Sequence, residues 1–221
     1  MRYEKKFRVY RSQFLDIVNI LHKLSFKKHH EDRFISSIYY DTSDFKLYRD
    51  SIEGISIRKK IRLRYYNEIF DEINIEKKIK YGDLGFKIIS PLSKKKHYKL
   101  TNLLKKSIYN QKIINQKILI PSHIENSYFP VSLVQYLRKY YISNDKKIRV
   151  TLDEKINYSR IFKNKENYTL NNNISDKVGV IEIKFEENEV FSKKLLHKLT
   201  TFLNCNLSRN SKYCNSIELL F

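Results

Sequence analysis

Residues 57–66 constrain this chain more than any other stretch, because they alternate without a break. On an extended strand Arg58, Lys60, Arg62, Arg64 and Tyr66 share one face, and Ile57, Lys59, Ile61, Leu63 and Tyr65 the other. Residues 69–80 repeat the pattern: Glu72, Asn74, Glu76, Lys78 and Lys80 oppose Ile73, Ile75, Lys77 and Ile79. Asn67-Glu68 between the two runs predicts a hairpin. A helix would scatter these side chains around its axis, so both runs read as strands with one face to bury.

The same period of two recurs along the chain. Arg2, Glu4, Lys6 and Arg8 oppose Tyr3, Lys5, Phe7 and Val9; Tyr136, Arg138 and Tyr140 share a face. Arg149, Thr151, Asp153 and Lys155 oppose Ile148, Val150 and Leu152, and Glu182 and Lys184 oppose Ile181, Ile183 and Phe185. A sheet with its apolar face on a core and its charged face in water accounts for such a pattern. So does a sheet closed into a barrel, with the charges turned inward and helices over the apolar outside. Arginine and lysine recur two residues apart here, with single glutamates among them, and this favours the second arrangement. An interior crowded with like charge needs a polyanion to neutralise it, and glutamates, or a metal held by them, to balance it.

Helical spacing is rarer. Phe14, Ile17, Val18 and Leu21 share a helical face after Ser12, and residues 190–203 are amphipathic. Residues 91–130 are lysine-rich, with Leu100, Leu103, Leu104 and Ile108 at helical spacing, and read as a mainly helical insertion. Residues 163–176, with Asn171-Asn172-Asn173, read as a polar loop, and His29 and His30 as solvated residues of another. The expected chain is α+β: one domain over residues 1–221, with about eight antiparallel strands and three or four helices.

Charge and glycine content narrow the function. Of 221 residues, 44 are lysine or arginine and 24 aspartate or glutamate, a formal net charge of +20. A balance of this kind suits nucleic acid, an anionic surface or a free polyanion. The four glycines, Gly54, Gly82, Gly85 and Gly179, cannot build GxxxxGK[ST] or GxGxxG, so bound phosphate must be held by side chains. Cys205 and Cys214 form no CxxC pair, which fits a reducing cytoplasm. No run of about 18 apolar residues occurs, so no membrane-spanning helix is expected.

The charged strands also carry a resemblance. Tyr3-Glu4-Lys5-Lys6-Phe7 resembles an opening ExK strand, Ser37-Ile38-Tyr39-Tyr40-Asp41-Thr42 a SIYFDT-like segment, and Arg62-Leu63-Arg64-Tyr65 an RxRxY strand. Glu76-Lys77-Lys78-Ile79-Lys80 resembles ExKxK, Tyr136-Leu137-Arg138 YxR, Arg149-Val150-Thr151-Leu152-Asp153 RVTxD, Glu182-Ile183-Lys184 a late ExK, and Ser211-Lys212-Tyr213 a terminal SKY. Taken in order, these segments resemble the VTC domain, the polyphosphate polymerase module of the triphosphate tunnel metalloenzyme superfamily. Arg2 stands where many tunnel enzymes place the first glutamate of ExExK; that resembles the VTC branch and removes one metal ligand.

The resemblance implies a closed antiparallel β-barrel tunnel with flanking helices outside. It also implies transfer of the γ-phosphate of ATP to the end of a polyphosphate chain, with Mn²⁺ or Mg²⁺. In that reading Lys6, Arg62, Arg64, Lys78, Tyr136 and Arg138 act on the triphosphate. Arg2, Lys80, Lys87, Arg149, Lys184, Arg209, Ser211 and Lys212 bind phosphate, and Glu182, helped by Glu76 and Glu4, holds the metal. Asp41, Thr151 and Asp153 are expected as structural hydrogen-bond partners. The chemistry suits these residue types. Phosphoryl transfer asks for positioning and charge stabilisation; arginine offers a planar fork, lysine a point charge, and hard cations take carboxylate and phosphate oxygens. ATP and inorganic polyphosphate are the expected partners, with no specific nucleic acid; a membrane-protein partner is left open. The rival readings are an inorganic triphosphatase of the same fold, a non-catalytic polyanion-binding module, and a nucleic-acid binder.

Overall fold

The structure, a computed structural model, describes residues 2–67, 69–82, 84–91, 114–115, 124, 127–164, 167–186, 190–201 and 207–221. Among them lie ten strands: β1 (Arg2–Tyr10), β2 (Lys27–Asp41), β3 (Ile57–Tyr66), β4 (Ile69–Tyr81), β5 (Leu84–Pro91), β6 (Ile114–Asn115), β7 (Phe129–Ile142), β8 (Arg149–Asn164), β9 (Asn167–Ser175) and β10 (Val178–Glu186). The α-helices are α1 (Phe14–Lys23), α2 (Lys46–Ile52), α3 (Val190–Thr201) and α4 (Lys212–Leu220). None is long and apolar enough to cross a membrane.

Backbone ladders join the strands in the order β1-β10-β8-β7-β2-β3-β4-β5, with β9 on β8 and β6 on β9. The α+β reading and the β3–β4 hairpin hold. The closed barrel does not: β1 and β5 end the path, and among the described residues no ladder joins them. The edge of β1 finds another partner. Phe7 bridges to Leu207, and the Ser208 amide donates to the Lys6 carbonyl at 2.9 Å. Two other expectations change. Residues 167–175 are strand rather than loop, and His29 and His30 lie in β2 rather than in a loop. Most of the expected helical insertion, residues 92–113, 116–123 and 125–126, lies outside the described residues; within it Ile114–Asn115 is a short strand.

The chain divides into two compact units. The first comprises Met1–Arg33, Tyr136–Ile156 and Ser175–Ser211. Its apolar sheet face, with Phe7, Val150, Leu152 and Ile181 among the buried residues, packs against Phe14, Ile17 and Leu21 of α1. Burial of each such side chain contributes about 1.5–3 kcal/mol. Gly179 makes the approach of α1 to the sheet feasible, since a Cβ there would overlap the Phe14 ring and the Asp153 carbonyl.

The second unit comprises Phe34–Gln135, Asn157–Ile174 and Lys212–Phe221. Its core gathers Ile38, Tyr40, Ile61, Leu63, Tyr65 and Ile75 from the apolar faces of β2, β3 and β4. The Asn67 turn is fixed to β2 by two hydrogen bonds: its amide donates to the Phe34 carbonyl at 2.7 Å and its Oδ1 accepts from the Phe34 amide at 2.8 Å. Not every helix lies on an apolar face. Tyr213 of α4 stacks on Tyr39 at 5.1 Å and donates its hydroxyl to Asp41, both on the face of β2 that continues to Arg62.

Candidate functional site

In the second unit, register builds a ring of cations around one glutamate. Antiparallel pairing of β3 with β4 sets Arg62 opposite Glu76 and Arg64 opposite Asn74, while β2 sets Tyr39 opposite Arg62. Arg62 donates from Nε and Nη2 to one Glu76 oxygen at 2.7 and 2.5 Å, and from Nη1 to the Tyr39 hydroxyl at 3.2 Å. Lys87 of β5 takes the other Glu76 oxygen at 2.8 Å, and Arg64 lies 3.8 Å from the first. Glu76 and Arg64 are only 5% and 7% exposed, so the centre of this charged face is buried, while Lys78 and Lys87 beside it are exposed. Burial alone would raise the Glu76 carboxyl. The Arg62 and Arg64 charges and the hydrogen bonds from Lys87 and Arg62 outweigh it and hold the group at about 2.

Tyr39 belongs to this cluster although the sequence reading passed over it. Burial pushes its phenol up, but Arg62, Arg64 and Lys212 together bring it below its ordinary value. Writing β2 with period two would have found it, because Ser37, Tyr39 and Asp41 share the face opposite Ile38 and Tyr40. Lys78 and Lys80 lie further along β4, opposite Lys60 and Arg58 of β3. Lys60 approaches the Cys214 sulfur at 3.7 Å.

The first unit arranges its charges differently. Pairing of β1 with β10 sets Glu4 opposite Lys184 and Lys6 opposite Glu182, a checkerboard of alternating sign. Lys6 lies 2.9 Å from Glu4 and 3.9 Å from Glu182; Lys184 lies 2.6 Å from Glu182 and 3.6 Å from Glu4. Lys6 also donates to the Asn210 carbonyl at 3.3 Å, so the residues before α4 border this group. Burial opposes ionisation of Glu182, yet Arg138, Lys6 and Lys184 keep it well below the usual carboxylate range. Burial and the Glu182 charge oppose ionisation of Glu4, and Lys6 and Lys184 outweigh them.

Arg138 is clamped by Asp153, donating from Nε and Nη2 at 2.5 and 2.7 Å. The fork of Arg138 is therefore already engaged, and a phosphate would meet only its outer hydrogens. The buried Tyr136 ring lies 5.3 Å from its guanidinium carbon. Asp153 thus acts as the structural partner expected, and Asp41 does so in the second unit. Thr151 differs: set opposite Glu182 in the β10–β8 ladder, its buried hydroxyl has no hydrogen-bond partner among the described residues. Of the remaining expected ligands, Arg149 pairs opposite Lys184, Arg209 is exposed, Ser211 and Lys212 are half-buried, and the Arg2 side chain lies outside the described residues.

In both groups each carboxylate oxygen faces a cation: Arg62 and Lys87 at Glu76, Lys6 and Lys184 at Glu4 and at Glu182. A hard divalent cation takes oxygen donors, so Glu182 and Glu4, with the partnerless Thr151 hydroxyl nearby in the ladder, are the residues that would hold one if phosphate drew Lys6 and Lys184 away. Among the described residues no three acidic, histidine or cysteine side chains gather as a ready metal cage.

The sequence matches the family model of the VTC domain over residues 1–221. The chain belongs to the VTC domain family. No curated protein matches the sequence. Among solved structures, this VTC domain is similar to a proposed adenylyl cyclase, HpAC1 from Hippeastrum, described as showing a dominant triphosphatase activity. The identity is 14%, the TM-score 0.55, and the match covers 100% of this chain and 97% of that one. A proposed adenylate cyclase from Vibrio parahaemolyticus matches at 14% identity and a TM-score of 0.47, over 97% of each chain. At such identity the first of these likenesses speaks to the fold of the VTC domain.

Proposed function

We propose that this chain is a polyphosphate polymerase, moving the γ-phosphoryl group of ATP onto the end of a polyphosphate chain. The observation that carries the reading is the set of cations gathered around buried Glu76 and half-buried Glu182 on alternate strand positions, in a chain of the VTC family. A terminal polyphosphate oxygen forms the new bond to the γ-phosphorus. The bond from that phosphorus to the bridging β,γ-oxygen breaks, and ADP leaves with its electron pair. The nucleophile is already ionised, so the protein supplies no base; it supplies position and charge.

Arg62, Arg64 and Lys87, with the Tyr39 hydroxyl, are the principal phosphate ligands in this reading. Lys78, Lys80 and Lys212 support them, and Glu76 holds the arginines in place until phosphate arrives. Lys6, Lys184, Arg138 and Tyr136, with Arg149, Arg209 and Ser211, serve the phosphates near the Glu4–Glu182 pair. A divalent cation, Mn²⁺ or Mg²⁺, held by Glu182 and Glu4 would neutralise phosphate oxygens during transfer.

The test is a time course with ATP and Mn²⁺, resolving products by chain length. Accumulation of long polyphosphate supports the polymerase, and Arg62→Ala and Glu182→Gln should each suppress it. Release of phosphate alone makes the protein a triphosphatase. Phosphate binding without turnover at any metal concentration makes it a binding module.

A further inference from the structure

The β4–β5 hairpin carries a surface that phosphate chemistry does not use. Register sorts its residues into rows across β3, β4 and β5. Ile57, Tyr81 and Leu84 form one row, Lys59, Ile79 and Phe86 the next, and Ile61, Lys77 and Ile88 the third, all on one face. Large apolar side chains on that face stand in water: Leu84 is 63% exposed, Ile57 62%, Phe86 55% and Tyr81 52%. The Tyr81 and Phe86 rings meet edge to face at 6.1 Å. Apolar groups assembled into a patch, rather than scattered singly, mark an interaction surface. The patch lies at the turn end of the hairpin, on a strand that ends the ladder path.

Charge selects the occupant. The other face of the same strands carries Arg58 and Lys80 in one row and Lys60, Lys78 and Lys87 in the next. Lys59 and Lys77 flank the apolar residues on their own face. Glu76, the carboxylate of the next row, is already ringed by cations. A second copy, itself at +20, would be repelled from such a hairpin. An anionic bilayer would be attracted, and its interface accepts this mixture of tyrosine, phenylalanine and aliphatic side chains with lysine and arginine beside them. The dimensions agree: Leu84 to Phe86 spans about 7 Å along the strand, within the 5–10 Å that interfacial elements bury.

We propose that the turn end of the β4–β5 hairpin docks this protein on an anionic lipid surface, with Ile57, Tyr81, Leu84 and Phe86 entering the headgroup region. The test is co-sedimentation of the full chain with vesicles of phosphatidylcholine alone or mixed with phosphatidylserine. The wild type should bind the mixed vesicles and not the neutral ones. The double variant Leu84→Ser with Phe86→Ser should lose about tenfold in affinity, by the apolar contribution to interfacial binding. Leu15→Ser, at an exposed apolar position on α1, should bind as the wild type does. The chain has no tryptophan, so Leu84→Trp supplies a sole reporter whose emission should shift to the blue on mixed vesicles and be quenched by brominated lipid. Circular dichroism checks that each variant is folded. Absence of binding to mixed vesicles overturns the proposal, as does undiminished binding by the double variant. A tryptophan that stays water-exposed on vesicles overturns it too. A dimer in light scattering that the double variant dissolves would make a second copy the occupant instead.

Discussion

Arg62 and Arg138 look alike in the sequence, but their surroundings make them unequal to remove. Arg138 is the bidentate partner of Asp153, which is fully buried. Arg138→Ala strands that carboxylate and should cost about 3–5 kcal/mol of stability, read from urea unfolding. Arg62→Ala leaves Glu76 with Lys87 and Arg64. The fold should lose about 1.5–3 kcal/mol, the worth of hydrogen bonds to a charged group, while turnover loses roughly 2–4 kcal/mol of transition-state stabilisation. Glu76 adds a pH signature. Its carboxyl is lowered from the usual 4.5 to about 2, so its contribution is complete above 4.5 and is lost as pH falls towards 2. That contribution is roughly 3 kcal/mol. Glu76→Gln should flatten the acid limb of a stability–pH curve and lower the urea midpoint at neutral pH. It should also tighten tripolyphosphate binding by about tenfold in calorimetry, because the arginines lose their internal competitor. The sequence showed these cations and glutamates, since alternation follows from the backbone alone. It did not show which glutamate holds which arginine, or that Tyr39 joins them, because those contacts depend on strand register.

At the scale of elements, the joint between β2, α2 and α4 turns on Asp41. Its carboxylate accepts from the Leu47 and Tyr48 amides at 2.8 and 3.0 Å, capping α2, and from the Tyr213 hydroxyl of α4. Burial and the neighbouring Asp41 carboxylate push the Tyr213 phenol far above its ordinary value, so it stays a donor. Tyr213→Phe should cost about 1.5–3 kcal/mol, the worth of a hydrogen bond to a charged group. Asp41→Ala should cost more, with faster hydrogen exchange at the Leu47 and Tyr48 amides as the mark of an uncapped helix. Two resemblance segments, the one ending Asp41-Thr42 and the one ending in Tyr213, therefore meet in a structural link. Strands that alternate and helices with an apolar stripe were legible: β1, β3, β4, α1 and α3. β9 was not, because Asn171-Asn172-Asn173 has poor strand propensity and its ladders to β8 and β6 make it extended. The charged first half of β2, Lys27 to Arg33, has the same low strand propensity. The open path could not be read either: whether β1 meets β5 depends on what else takes its edge, and Leu207 and Ser208 do.

For the molecule as a whole, the net charge of +20 is a cost to the folded state that a bound polyanion should relieve. Any ligand that binds the native state alone stabilises it, by about 2.7 kcal/mol when present at a hundred times its Kd. For a chain of this length 1 kcal/mol moves the melting temperature by about 2–4 °C, so saturating tripolyphosphate should raise Tm by about 5–10 °C. Salt separates the sources of that shift. Binding through lysines spread over the surface weakens steeply as salt rises. Binding through Arg62, Arg64 and Lys87, drawn together around buried Glu76, is screened less, and the shift should largely persist at moderate salt. Arg62→Ala should remove most of the persistent part, while single-stranded RNA should give a shift that salt abolishes. An RNA shift that survives salt and disappears in Arg62→Ala would transfer the arginine cluster from phosphate chains to nucleic acid. The total charge permits either ligand; the persistence of the shift and its dependence on Arg62 decide between them.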